Sequence, residues 1–185
     1  MNTKDISLCV GIPITHLQRM QRIGSSDFCK GQAFAMSKFD KEIARPFKKY
    51  RKVFEQVNFV EACTYEQFVH ESKNCKALTL FTHFHQGMLE FFDKDVKDVQ
   101  VAQGLKSRAN LQFLDLTVCN MGSMYDNLFD APFRKLARLD VEKEYKVDFY
   151  PWIGVLAYLI AYITENHCSY LEAYQQTIKI FKSEF

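Results

Sequence analysis

The sequence predicts an α/β fold with a mostly parallel central sheet and helices on both faces. Short apolar runs, "ISLCV" at 6–10, "ALTLFTH" at 77–83 and "LQFLDLTVC" at 111–119, read as strands buried on both sides. Helical patterns separate them, the alternation expected of βαβ units. The chain has 185 residues, 48% hydrophobic and 25% charged, enough for the core of a single domain spanning 1–185.

Along the chain, Ile6–Val10 is the first strand, closed by Gly11 and Pro13. Residues 14–38 fit no single period, and Gly24-Ser25-Ser26 marks a loop. A helical pattern runs from Lys41 to Phe54, disturbed by Pro46. "VNFVEAC" (57–63) predicts a short strand, and "TYEQFVHESKN" a helix opened by Thr64 and Gln67 at capping-box spacing. "KALTLFTHFHQG" (76–87) is a strongly apolar strand that ends in histidines. "MLEFF" and "VQVA" flank Asp93-Lys94-Asp95 and predict a hairpin, and "QGLKSRAN" one or two helical turns.

After the strand at 111–119, Ser123–Asp130 and Pro132–Leu139 predict two helical pieces, Pro being welcome at a helix start. "YKVDFY" (145–150) predicts a last strand and 152–164 a buried helix. A closing helix begins at Ser169, with Glu172 as its capping-box partner and Leu171, Tyr174, Ile178 and Phe181 as its inward stripe. No internal repeat or low-complexity segment interrupts the pattern.

Composition narrows the function classes. The formal net charge is only +2, and the densest basic run, "KKYRK" at 48–52, reads as a solvated helix face, so no nucleic-acid partner is expected. The longest uncharged run, "FYPWIGVLAYLIAYIT" (149–164), is short of the ~20 apolar residues of a membrane span and holds Pro151 and Gly154. No membrane span is expected, though this apolar C-terminal region could meet a protein partner. The six cysteines, at 9, 29, 63, 75, 119 and 168, form no CxxC pair, and "MNTKDISLCVGIP" lacks a leader's apolar core. Reduced thiols and a cytoplasmic location are the expectation.

Two strands end in residues able to do nucleophilic chemistry, "ALTLFTH" in His83 and "LQFLDLTVC" in Cys119. The sequence between them has room for a hairpin and a crossover helix, so the strands can be parallel neighbours. Their C-terminal ends then share one edge of the sheet, where ligands bind in open α/β folds. Imidazole beside a thiol can supply the thiolate, which is the nucleophile.

From Val57 to Tyr174 the chain resembles the caspase-like cysteine peptidases, the group of gingipains, separases and the CHAT branch. The likeness rests on "VNFVEACTYEQFVHESKNCKALTLFTHFHQGMLEFFD", then "FLDLTVCN", then "SYLEAY". "LFTHF" with "MLEFFD", followed by "LDLTVC", is most similar to the CHAT branch. The resemblance implies a three-layer αβα sandwich and a His–Cys dyad hydrolysing peptide bonds of protein or peptide substrates. Cys119 would be the nucleophile and His83 its partner, with no cofactor. The oxyanion would be held by the backbone N–H of Cys119 and one from the loop after the histidine, at Phe84 or Gly87. The family has glycine directly after its histidine, whereas this chain has Phe84-His85-Gln86 before Gly87. His85 therefore stands as the alternative histidine.

Two other readings remain open. A caspase-like domain that has lost catalysis would act as a binding or scaffold module. Alternatively, His83-x-His85 on one face of an extended strand, with Glu90 following, resembles the cupin HxH…E metal motif. Cys9, Cys29, Cys63, Cys75 and Cys168 read as structural, and His16, His70 and His167 as surface residues. Asp93, Asp95 and Asp126 are the carboxylates close in sequence that an acidic substrate pocket would draw on.

Overall fold

The computed structural model describes residues 1–25, 43–117, 122–128, 130–136 and 149–182. Its centre is a five-stranded, all-parallel sheet. The strands are β1 (Ile6–Val10), β2 (Asn58–Val60), β3 (Ala77–Phe81), β7 (Phe113–Thr117) and β8 (Arg134–Leu136), in the spatial order β2-β1-β3-β7-β8. Between β3 and β7 the chain forms a separate antiparallel sheet of β4 (Phe84–His85), β5 (Met88–Glu90) and β6 (Asp95–Lys97). The helices are α1 (His16–Ser25), α2 (Arg45–Phe54), α3 (Tyr65–Asn74), α4 (Asp98–Lys106), α5 (Gly122–Asn127), α6 (Phe149–Asn166) and α7 (Tyr170–Lys182).

Strand alternation divides the apolar side chains between two cores. Ile6, Leu8 and Val10 of β1 and Ala77 and Phe81 of β3 face α2, α6 and α7, where Phe47, Phe54, Ile153, Leu156 and Tyr170 meet them. Cys9, Leu78, Leu80, Leu114 and Leu116 face the other way, against Phe68 of α3, Val101 and Leu105 of α4 and Leu89 of β5. The alternating β/α order buries β1, β3 and β7 on both sides, as parallel strands require. Helices on both faces are compatible with a three-layer sandwich.

Local signals set the helix starts. Thr64 and Gln67 form the expected capping box, at 3.2 Å from Gln67 N–H to Thr64 Oγ1 and 2.9 Å from Thr64 N–H to Gln67 Oε1. Ser169 and Glu172 do the same for α7, with the Ser169 N–H donating at 2.8 Å. A third box, Thr15 with Gln18, opens α1 inside the stretch whose pattern was ambiguous. There the tertiary structure carries the helix through Gly24 and Ser25, where the sequence predicted a loop. Pro46 does not break α2; it occupies the first turn, where a missing N–H costs nothing.

Three expectations are corrected. "VQVA" (99–102) is not a strand but the body of α4, and the hairpin pairs β5 with β6 across a shorter turn, Glu90 opposite Asp95. Residues 134–136, expected in a helical piece, form β8, paired in parallel with β7 from Phe113↔Arg134 to Asp115↔Leu136. Phe149 and Tyr150, expected in a strand, open α6; residues 145–148 lie outside the described residues. In each case a stretch of a few residues carries no clear period of its own, and the partner decides its structure.

Candidate active site at the edge of the parallel sheet

β3 and β7 are hydrogen-bonded parallel neighbours in register from Ala77↔Phe113 to Phe81↔Thr117. His83 stands two residues beyond Phe81, and Cys119 two residues beyond Thr117 in the sequence. Both chains thus leave the same edge of the sheet from paired positions about 4.8 Å apart. Cys119 itself lies outside the described residues.

The segment around His83 is tied down from three directions. At the end of β1, the Gly11 N–H donates to the Phe81 carbonyl at 3.0 Å. The Thr82 hydroxyl donates to the Glu90 carbonyl, and the Glu90 N–H to the His83 carbonyl at 3.0 Å. Gly11 is required by this clasp: a Cβ there would lie 2.7 Å from Thr82 Oγ1 and closer still to the Glu90 carbonyl. The antiparallel sheet is in turn fastened to α3. Asp93 accepts from the Tyr65 N–H at the helix start at 2.9 Å, and the Phe92 N–H donates to the Cys63 carbonyl at 3.0 Å. The Phe91 ring packs 5.2 Å from both Tyr65 and Phe68.

The two histidines occupy different structures. β3 ends at Phe81 and β4 begins at Phe84, so His83 lies in the break between them, half-buried. His85 is exposed on β4, its Nε2 3.6 Å from Asp95 Oδ2 on β6. The bond from the Glu90 N–H to the His83 carbonyl continues the β4–β5 ladder by one position, so His83 and His85 flank Phe84 at alternate positions. Among the described residues no three His, Cys, Asp or Glu side chains gather in a metal-binding group.

The backbone donors named by the sequence also separate. Gln86 and Gly87 form the two-residue hairpin turn with φ of 49° and 74°, the left-handed pair a type I′ turn needs. Gly87 thus sits at the hairpin tip, where its carbonyl accepts from the Asp98 N–H at 2.9 Å. Phe84 pairs with Leu89 between the hydrogen-bonded positions His83–Glu90 and His85–Met88, on the edge strand. Its N–H accordingly points away from β5. Of the three oxyanion candidates, Cys119 lies outside the described residues, Phe84 is one residue from His83, and Gly87 belongs to the turn.

The remaining thiols are packing residues where they are described. Cys9, Cys63 and Cys75 are buried and Cys168 is half-buried. A hydrogen bond with the Cys63 thiol, together with burial, holds the Cys9 thiol well above its usual range. Burial pushes Cys75 up to about 12, with the Glu71 charge adding to it and a hydrogen bond to Ser7 opposing it. Cys29 lies outside the described residues; His70 and His167 are exposed. Of the nearby carboxylates, Asp93 is engaged by α3 and Asp95 by His85, while Asp126 is exposed.

Sequence reading passed over Gly11 and Thr82 as site-building residues and took Glu90 only as a metal-ligand candidate. Its only hint was a glycine directly after an apolar strand. It also passed over Asp115, a carboxylate 1% exposed inside the "FLDLT" strand, next in register to Thr79. Among the described residues, no helix is long and apolar enough to cross a membrane. No protein-family model and no curated protein matches the chain.

Proposed function

We propose that the chain is a cysteine peptidase of the caspase-like kind, with Cys119 as nucleophile and His83 as its base. The supporting observation is the register of β3 and β7, which pairs Phe81, two residues before His83, with Thr117, two residues before Cys119 in the sequence. His83 is favoured over His85 because it follows β3 directly, whereas His85 is on the hairpin facing Asp95.

In this reading the imidazole of His83 takes the thiol proton and the thiolate attacks the peptide carbonyl carbon. The carbonyl π electrons move to oxygen, and the oxyanion is met by the N–H groups of Cys119 and Phe84. Collapse expels the amine, which takes its proton from the imidazolium and leaves a thioester. Water, deprotonated by the same imidazole, hydrolyses the thioester and returns the thiol.

A peptide-library cleavage assay tests this. Wild type should cleave; Cys119→Ala should not; His83→Ala should lose roughly 10²–10⁴-fold in turnover. His85→Ala should stay within a few-fold of wild type. Alkylation near neutral pH should modify Cys119 ahead of buried Cys9, Cys63 and Cys75. Absence of cleavage by wild type, or a Cys119 inert until denaturation, would sink the reading.

A further inference from the structure

The turn before α3 brings two thiols together at the end of β1. β1 pairs with β2 as far as Cys9↔Val60, and the chain then bends back towards β1. Ala62 makes this bend with φ of 49°, in the left-handed region that a side chain enters only at a cost. The bend sets the Cys63 N–H on the carbonyl of Val10, the neighbour of Cys9, at 2.8 Å. Both thiols are fully buried in one core. The Cys9 thiol is hydrogen-bonded with the Cys63 thiol, and Cys63 Sγ itself donates to the Thr64 carbonyl at 3.4 Å. Cys9 is therefore the donor of the pair and the Cys63 sulfur its acceptor.

The third thiol of this layer has a different neighbour. Cys75, at the C-terminal cap of α3, is hydrogen-bonded to Ser7, whose hydroxyl donates to Glu71 Oε2 at 2.6 Å. Ser7 and Cys9 share a face of β1, two residues apart. The strand thus presents Ser7 to Cys75 and Cys9 to Cys63, and the sulfurs of the second pair need only a small approach to bond.

We propose that Cys9 and Cys63 are a reversible redox pair, which a peroxide joins in a disulfide that fastens the end of β1 to the start of α3. Cys63 lies in a turn, which opens more readily than a paired strand, and so reacts first. Its sulfur attacks one peroxide oxygen, the O–O bond breaks, and water leaves with the thiol proton to give a sulfenic acid. The Cys9 sulfur then attacks the sulfenic sulfur, the S–O bond breaks, and the departing hydroxide takes the Cys9 proton as a second water. Two electrons pass from the thiols to the peroxide. Burial selects a small oxidant and makes the reaction slower than at an exposed thiol. The bridge would join two backbone ties beside β3. The Cys63 carbonyl accepts from the Phe92 N–H at 3.0 Å, and Gly11, two residues after Cys9, donates to the Phe81 carbonyl. The chemistry of His83 and Cys119 takes no part in it.

The test treats the folded full chain with hydrogen peroxide, blocks remaining thiols with N-ethylmaleimide, and maps disulfides by mass spectrometry of a non-reduced digest. The expected product is an intramolecular Cys9–Cys63 link, reversed by dithiothreitol. Closing a loop of about fifty residues should raise the thermal midpoint by at least about 5 °C. Cys75→Ala should keep both the link and the shift, and Cys63→Ala should lose both. The wild-type map decides the question even where a variant at a buried position does not fold. A Cys9–Cys75 link, or a Cys9–Cys63 link formed only in urea, would overturn the proposal. So would a Cys9–Cys63 link that leaves the midpoint unmoved, since the bridge would then fasten nothing.

Discussion

The two faces of the central sheet are closed by different means. On one, α2, α6 and α7 lay apolar side chains across β1 and β3, with Phe47 edge-on to Phe81 at 5.2 Å and stacked on Phe59 at 6.0 Å. On the other, α3, α4 and the small antiparallel sheet are fastened by backbone and side-chain hydrogen bonds at the strand ends, over a layer that includes three buried thiols. Side-chain packing is non-directional and leaves an outer groove where two helices diverge. Hydrogen bonds are directional, so they fix the backbone beside His83.

The comparison breaks most severely at Phe81, the residue that closes the helical face and ends β3. Phe81→Ala removes a fully buried ring and should destabilise the fold by about 3–5 kcal/mol, read from urea unfolding. Gly11→Ala attacks the clasp instead. Its new methyl must displace Thr82 or the Glu90 backbone, with an expected loss of about 1–3 kcal/mol. If the clasp positions His83, peptide turnover in Gly11→Ala should fall even at temperatures where the variant remains folded.

The thiol layer provides a pH test. The Cys75 thiol is raised from 9.0 to about 12 in the folded chain, so its contribution is fully present below the unfolded pKa. As pH rises from about 9 towards 12 the unfolded chain gains by ionising, and stability falls by about 1.4 kcal/mol per pH unit for this thiol. Urea unfolding between about pH 9 and 11 should therefore show a steeper decline for wild type than for Cys75→Ala. Equal slopes would mean that the layer is more open to water than its burial indicates.

The smallest expected effect is Gly154→Ala. Alanine in the interior of α6 should stabilise by up to about 1 kcal/mol, since its Cβ makes an ordinary contact with the Tyr50 hydroxyl. Thermal unfolding should therefore show a slightly raised midpoint, and a lowered one would mean that α6 cannot accept a methyl against Tyr50.

Much of the framework was legible because its causes are local. β1 runs over the residues predicted from "ISLCV" and its closing Gly11, and the boxes at Thr64/Gln67 and Ser169/Glu172 start their helices where predicted. The apolar character of α6 also read correctly, with Ile153, Leu156, Ile160 and Ile163 buried. The apolar runs that precede His83 and Cys119 in the sequence were recognisable as strands, and β3 and β7 are the parallel neighbours that the length between them allowed.

What the tertiary structure decided depends on partners distant in sequence. "RKL" at 134–136 has no strand pattern of its own and becomes β8 only because β7 offers a free edge. "VQVA" is as apolar as a strand, yet Val101, Ala102 and Leu105 bury one helical side against the sheet. The clasp beside His83 forms where Thr82 bonds to Glu90 under Gly11, three residues from three segments. The groove likewise exists only between α2 and α6, about a hundred residues apart in the chain. Hydrophobic period and capping act within a few residues, so sequence alone determined the apolar strands of the sheet centre and the capped helix starts. Pairing, clasp and groove act across the fold, and only packing decided them.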